Sequence, residues 1–229
     1  MLPRFRDLTL RPRFSVIALT ALVGLAVPVT ASAAVLSGSP TQTLVNEARA
    51  SSQTDGHRDF VLRYQLQQAS AATLNVSNHA VASTAQCHDC NADAVAFQVV
   101  VASKQDLVTL NAGNTADASS SDCIRCSSLA GAYQIIYASD QPQLSRYQIQ
   151  GLNHVRSELI ALQFTGLNGA RLQARTDAIA KDAVSVLADG PNPIPFVTPA
   201  INDSSRPAEL TRSSGPYIDL FIKVEHPGN

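Results

Sequence analysis

Phe60-Val61-Leu62-Arg63-Tyr64-Gln65-Leu66-Gln67 alternates cleanly, with Phe60, Leu62, Tyr64 and Leu66 on one face and Arg63, Gln65 and Gln67 on the other. A period of two is that of a strand with one face buried. Residues 73–83 predict a weaker strand leading into a Cys-x-x-Cys. Residues 217–225 (YIDLFIKVE) alternate again, with Ile218, Leu220, Ile222 and Val224 on one face. An apolar strand left unpaired is an aggregation hazard, so this last one is expected in the same sheet as the Phe60 strand.

A different period governs 143–163, where Leu144, Tyr147, Leu152, Val155, Leu159 and Leu162 recur every three to five residues and Arg146, Arg156 and Glu158 face outward. That is the pattern of an amphipathic helix. Residues 164–169 (FTGLNG) break it. A second helix is predicted over 170–188, with Leu172, Ile179, Ala183 and Leu187 on one face and Asp189-Gly190-Pro191 as its stop. Two helices joined by a short turn make an antiparallel hairpin.

Residues 91–102 are apolar on every side (AVAFQVVVA), so periodicity cannot separate a buried helix from a buried strand. The alanines and the Asp and Ser at the start favour a helix with the cysteines in its first turn, whereas the valine run favours a strand. The balance falls to a helix, and 127–138 must share the outcome.

That shared outcome follows from a duplication. Residues 75–103 recur as 111–139, at an offset of 36 with no gap, and 12 of the 29 positions are identical. The matches include Asn78/Asn114, Cys87/Cys123, Cys90/Cys126 and Gln98/Gln134. Small, apolar and cysteine positions are kept while charges are not, which marks a packing unit. The fold expected is therefore α+β: a duplicated Cys-x-x-Cys unit with a small sheet, plus an antiparallel helical hairpin.

With 229 residues, 45% of them hydrophobic, the chain can bury a sizeable core. Four arginines precede an apolar run over 14–29 and then Ala31-Ser32-Ala33, which is the pattern of a cleaved secretory signal over 1–33. Cleavage removes four of the 17 basic and one of the 18 acidic side chains, leaving a net charge of −4. Nucleic-acid binding, which needs a basic stripe, is thereby disfavoured. After the signal the organisation expected is a flexible leader over 34–58, the duplicated unit over 59–140, the helical hairpin over 141–189, and a Pro-rich segment with the C-terminal strand over 190–229. No later stretch is long and apolar enough to span a bilayer.

Three chemistries fit Cys87, Cys90, Cys123 and Cys126. An oxidising compartment and an even count favour structural disulfides, of which closure within each motif is preferred because each copy is then complete. A four-cysteine zinc site has the right spacing, but thiols outside the cell oxidise unless metal arrives first. A redox dithiol is the third, with His88 beside Cys87 in its favour and the absence of a βαβ frame against it. Disulfides are the expectation, with no metal and no cofactor. His-Glu-x-x-His, Gly-x-Ser-x-Gly and phosphate-loop motifs are all absent, so no catalytic residue is named. Gln98 and Gln134, polar residues inside apolar runs, are expected as amides paired with backbone or with each other, and otherwise as ligand-facing groups.

The order of these features, from the alternating strand through the two Cys-x-x-Cys motifs to the helical pair, resembles an extracytoplasmic domain of Gram-positive, mostly actinobacterial, secreted proteins. The likeness covers 60–188. Proteins with that domain often carry a peptide zinc metalloprotease label, but the label belongs to a membrane-embedded His-Glu-x-x-His domain that this chain lacks. The function expected is a secreted, non-catalytic structural or interaction module with an unnamed protein or cell-envelope partner, and the alternative is an extracytoplasmic thiol-disulfide oxidoreductase.

Overall fold

The computed structural model describes residues 41–140 and 142–188, and the backbone of 217–225. The signal segment expected over 1–33 and the Pro-rich segment of 190–216 lie outside the described residues.

Six strands come first: β1 (Thr41–Ser52), β2 (Arg58–Ala69), β3 (Thr73–Ala85), β4 (Asn91–Ser103), β5 (Thr109–Ser121) and β6 (Ser127–Ser139). Odd and even strands separate into two sheets. Sheet A has the order β1-β3-β5 and sheet B the order β2-β4-β6-β7, where β7 is Tyr217–Glu225. All pairings among the first six strands are parallel, and β7 runs antiparallel to β6. The chain thus winds as three coils, β1–β2, β3–β4 and β5–β6, each crossing once from sheet A to sheet B.

The register is what gives the stack its character. Asn75 lies beside Asn111, Asn78 beside Asn114, Gln98 beside Gln134 and Ser103 beside Ser139, so positions 36 apart are neighbours throughout coils two and three. In-register stacking of like on like lets side chains bond along the stack. Asn46 donates to Asn78 at 2.8 Å and Asn78 to Asn114 at 2.9 Å. Gln134 donates to Gln98 at 2.9 Å and Gln98 to Gln65 at 2.6 Å. Tyr64, Phe97 and Tyr133 stack with ring centroids 6.0 and 5.8 Å apart.

Two helices complete the body. Helix α1 (Arg146–Leu162) starts at a capping box in which Ser145 accepts from the Gln148 N–H and Gln148 Oε1 accepts from the Ser145 N–H. Helix α2 (Gly169–Ala188) returns antiparallel to it, since Gln148 donates to the Leu187 carbonyl while Glu158 meets Arg175. Both cover the face of sheet B that turns away from sheet A, burying Phe97, Val99, Tyr133 and Ile135 with Leu152, Leu159, Leu172 and Ile179. The layers are therefore sheet A, sheet B and helices. Between the sheets an alanine cluster fills the end near the cysteines, and Leu44, Leu74, Val76, Val100, Leu110 and Ile136 fill the other.

Three expectations are corrected. The small sheet expected in the α+β fold gives way to two mostly parallel sheets wound as stacked coils, beside which the two helices lie. Residues 91–102 and 127–138, expected as helices, are strands β4 and β6: each lies between sheet A and the helices, and a strand buried on both faces loses its alternation. Residues 41–52, expected within a flexible leader over 34–58, form β1. Among the described residues no helix is long and apolar enough to cross a membrane.

Candidate functional site

Each coil turns from sheet A into sheet B at a corner, and in coils two and three that corner is Cys-x-x-Cys. The corners need a tight backbone path. Gln86 and Asp89 in one, and Asp122 and Arg125 in the other, take positive φ of 50 to 58° just before each cysteine. None is glycine, so this left-handed backbone costs energy that the stack must repay. Main-chain bonds hold the corners together: Ile124 N–H donates to the Cys87 carbonyl at 3.1 Å, Asp89 N–H to Ile124 at 2.9 Å and Ser127 N–H to Cys90 at 3.0 Å. Outside, Arg125 clamps Asp89 with two 2.6 Å bonds, and this pairing holds the Asp89 carboxyl below its ordinary pKa.

Stacked corners superpose their cysteines. All four Sγ atoms lie within 4.8 Å of one another. Cys87 and Cys90, 2% and 0% exposed, form a disulfide, whereas Cys123 and Cys126 are half-buried thiols. Of the two closures expected within the motifs, the second is therefore not made. Cys126 turns instead toward the neighbouring coil, donating to the Cys87 carbonyl at 3.2 Å with its sulfur 3.0 Å from Cys90.

The two thiols differ electrostatically. Desolvation pushes the Cys123 thiol up, but hydrogen bonds from Cys126, Thr84 and the Cys87 and Ser121 amides outweigh it and bring the pKa below its ordinary value. Desolvation, reinforced by the hydrogen bond to Cys123, raises Cys126. Cys123 is thus the thiolate-forming member. His88, next to Cys87 in sequence, faces the Asp55 carboxylate at 3.5 Å, with a largely exposed side chain.

Gln98 and Gln134 bond to each other within the ladder, and both are fully buried. Sequence reasoning missed Gln65 as the third rung and Asn46 as the first rung of the asparagine ladder. A signal was present: Thr41, Asn46, Ala48, Ala50 and Ser51 of β1 pair with the identical residues Thr73, Asn78, Ala80, Ala82 and Ser83 of β3. The offset there is 32 rather than 36, because β1 and β2 are each one residue shorter than β3 and β4 and the β2–β3 connection is two residues shorter than the β4–β5 one, and an ungapped comparison at 36 passes over it.

The outer face of sheet A carries a second candidate surface, with no described element over it. Small polar side chains align across its strands, Thr41 with Thr73 and Thr109, Thr43 with Asn75 and Asn111, and Ser51 with Ser83 and Ser119, with charged residues and the exposed Val45 among them. Asn111 donates to Asn75 at 2.8 Å, and His79 bridges Glu47 at 3.5 Å and Asp117 at 2.8 Å. No family model, curated protein or solved structure matches the chain.

Proposed function

We propose that the chain is a non-catalytic extracytoplasmic interaction module that presents the outer face of sheet A to a protein or cell-envelope partner. The observation that carries this reading is the contrast between the two sheets. Sheet B has its outer face covered by helices, and its Gln65, Gln98 and Gln134 amides bond to one another along the stack. Sheet A presents a row-and-column array of Thr, Asn and Ser on its outer face, cross-bonded in places along the stack, as in Asn111 to Asn75 and Ser83 to Ser51. Such an array is ordered before binding, so little side-chain entropy is lost on contact. Its repeat along the stack suits a partner that is itself repetitive. The arginine-led signal pattern and the resemblance to an extracytoplasmic domain supply the compartment.

The test is co-sedimentation with purified cell envelope. The double substitution Asn75→Arg/Asn111→Arg should abolish binding without altering the circular-dichroism spectrum. Undiminished binding by that variant would sink the reading.

A second reading, thiol-disulfide oxidoreductase, draws on one observation, the Cys123 and Cys126 thiols lying against the Cys87–Cys90 disulfide. It requires turnover in an insulin-reduction assay that is lost on Cys123→Ser, and a reduction potential well above the roughly −300 mV below which structural disulfides lie.

A further inference from the structure

The convergence of four sulfurs exceeds what disulfides ask for. In-register stacking brings the two motifs to one point, and closure of each Cys-x-x-Cys on itself makes no use of that proximity. A metal ion does. A tetrahedral four-thiolate zinc, with Zn–S near 2.3 Å, sets its sulfurs about 3.8 Å apart. Cys87 Sγ stands 3.7 Å from Cys123 Sγ and 3.8 Å from Cys126 Sγ, and no pair of the four exceeds 4.8 Å.

We propose that the reduced chain holds one Zn2+ between the two corners, with Cys87, Cys90, Cys123 and Cys126 as its four ligands. Cys87 and Cys90, with Cα atoms 6.2 Å apart, are close enough to face either each other or a shared ion. The surroundings hold the sulfurs in place. In the oxidised chain the Cys126 thiol donates to the Cys87 carbonyl at 3.2 Å and to the Ile124 carbonyl at 3.8 Å, so the main chain already keeps its sulfur in the corner. Contacts of this kind orient a ligand before the metal binds. The Asp89–Arg125 clamp and the backbone bridge between His88 and Ile124 fix one corner over the other, so the ligand set is largely assembled before the ion arrives. Cys123 and Cys126, half-exposed, give the ion its route from solvent.

Loading moves no electrons. Zn2+ displaces four thiol protons, leaving a Zn(S)4 centre of net charge −2 and four H+ in solution. Oxidation competes, because closing Cys87–Cys90 withdraws two ligands. Recovering them takes two electrons and two protons from a dithiol reductant, which itself becomes a disulfide. The proposal stands apart from the interaction reading, and failure of envelope binding leaves it unaffected.

The test is an anaerobic titration of the full chain, held reduced by a phosphine, with Co2+ as spectroscopic probe. Saturation is expected at one equivalent, with sulfur-to-cobalt charge-transfer bands of four-thiolate intensity and with one equivalent of Zn2+ displacing the cobalt. Cys126→Ser should weaken the affinity more than about 100-fold, beyond the loss that outer-shell changes produce. Band intensity reports ligand number in the unaltered chain, so the test survives a variant that does not fold. Absence of charge-transfer bands at one equivalent, or bands of two-thiolate intensity, overturns the proposal.

Discussion

Asn78 shows how much one side chain carries in a stacked fold. It accepts from Asn46, and its amide lies within 2.9 to 3.1 Å of Asn114 Oδ1 and the carbonyls of Ala96 and Tyr133, so it ties three coils and both sheets together. Asn78→Ala leaves these groups without partners in a dry interior, where each stranded group costs about 1–3 kcal/mol. The expected loss is on the order of 3 kcal/mol or more in urea unfolding, and a loss below that of a surface alanine substitution would contradict the ladder's role. Gln86 argues in the opposite direction. Its side chain is exposed and its φ of 55° disfavours any residue with a Cβ. Gln86→Gly should therefore raise stability by about 1 kcal/mol, read as a higher melting temperature.

At the scale of elements, the joint between helices and sheet is titratable. Asp93 on β4 is fully buried, with one oxygen 3.3 Å from Arg58 on β2 and the other without a hydrogen bond. Desolvation lifts its pKa to about 6 against the pull of Arg58 and of the Gly169 amide at the start of α2. An acid whose folded pKa lies above its unfolded value binds its proton more tightly when folded, so it costs stability at neutral pH. That cost is relieved as pH falls through about 6, and the relief is complete near 4. A shift from 3.8 to about 6 corresponds to on the order of 3 kcal/mol. Unfolding free energy should therefore rise on acidification from pH 7 to 5, and Asp93→Asn should flatten that segment of the profile. The joint between the helices is steric instead. A Cβ at Gly151 would sit 2.5 and 2.7 Å from the methyls of Val186, a β-branched side chain with little freedom to move. Gly151→Ala is expected to cost about 1–3 kcal/mol, and Val186→Ala in the same chain should recover most of it.

Elements also differ in how legibly they are written. Helices α1 and α2 each bury one side, so the 3.6-residue period survives in Leu152, Val155, Leu159 and Leu162. Strand β2 shows its alternation because Phe60, Leu62, Tyr64 and Leu66 all pack on the helix side, while Val61 packs among the alanines between the sheets. Strand β4 conceals its alternation, since Phe97 and Val99 meet the helices while Gln98 and Val100 meet sheet A. Strand β1 conceals it differently: its buried positions after Leu44 are Asn46, Ala48, Ala50 and Ser52, too small or polar to stand out as apolar. The information lay in stacking rather than in hydrophobicity. The site was legible to the same degree. Spacing identified the four cysteines as a set, but which sulfur faces which depends on parallel register, and that becomes visible only once 91–102 is a strand.

At the scale of the whole molecule the three layers divide their duties unequally. The outer face of sheet B holds the helices, and charge placed there has no route to water. The outer face of sheet A contributes backbone pairing and exposed cross-strand contacts such as His79 with Asp117 and Asn111 with Asn75. Val99, fully buried between β4 and the helices, and Thr115, exposed on β5, make the comparison. Val99→Lys should abolish the cooperative thermal transition, because an unpaired buried ammonium costs more than a marginally stable domain can absorb. Thr115→Lys should shift stability by no more than about 0.5 kcal/mol, and a lysine on an edge strand also discourages edge-to-edge association. A melting temperature that fell sharply in Thr115→Lys would mean that sheet A is covered after all. In that event its array of threonines, asparagines and serines would be an interior surface, unavailable to any partner.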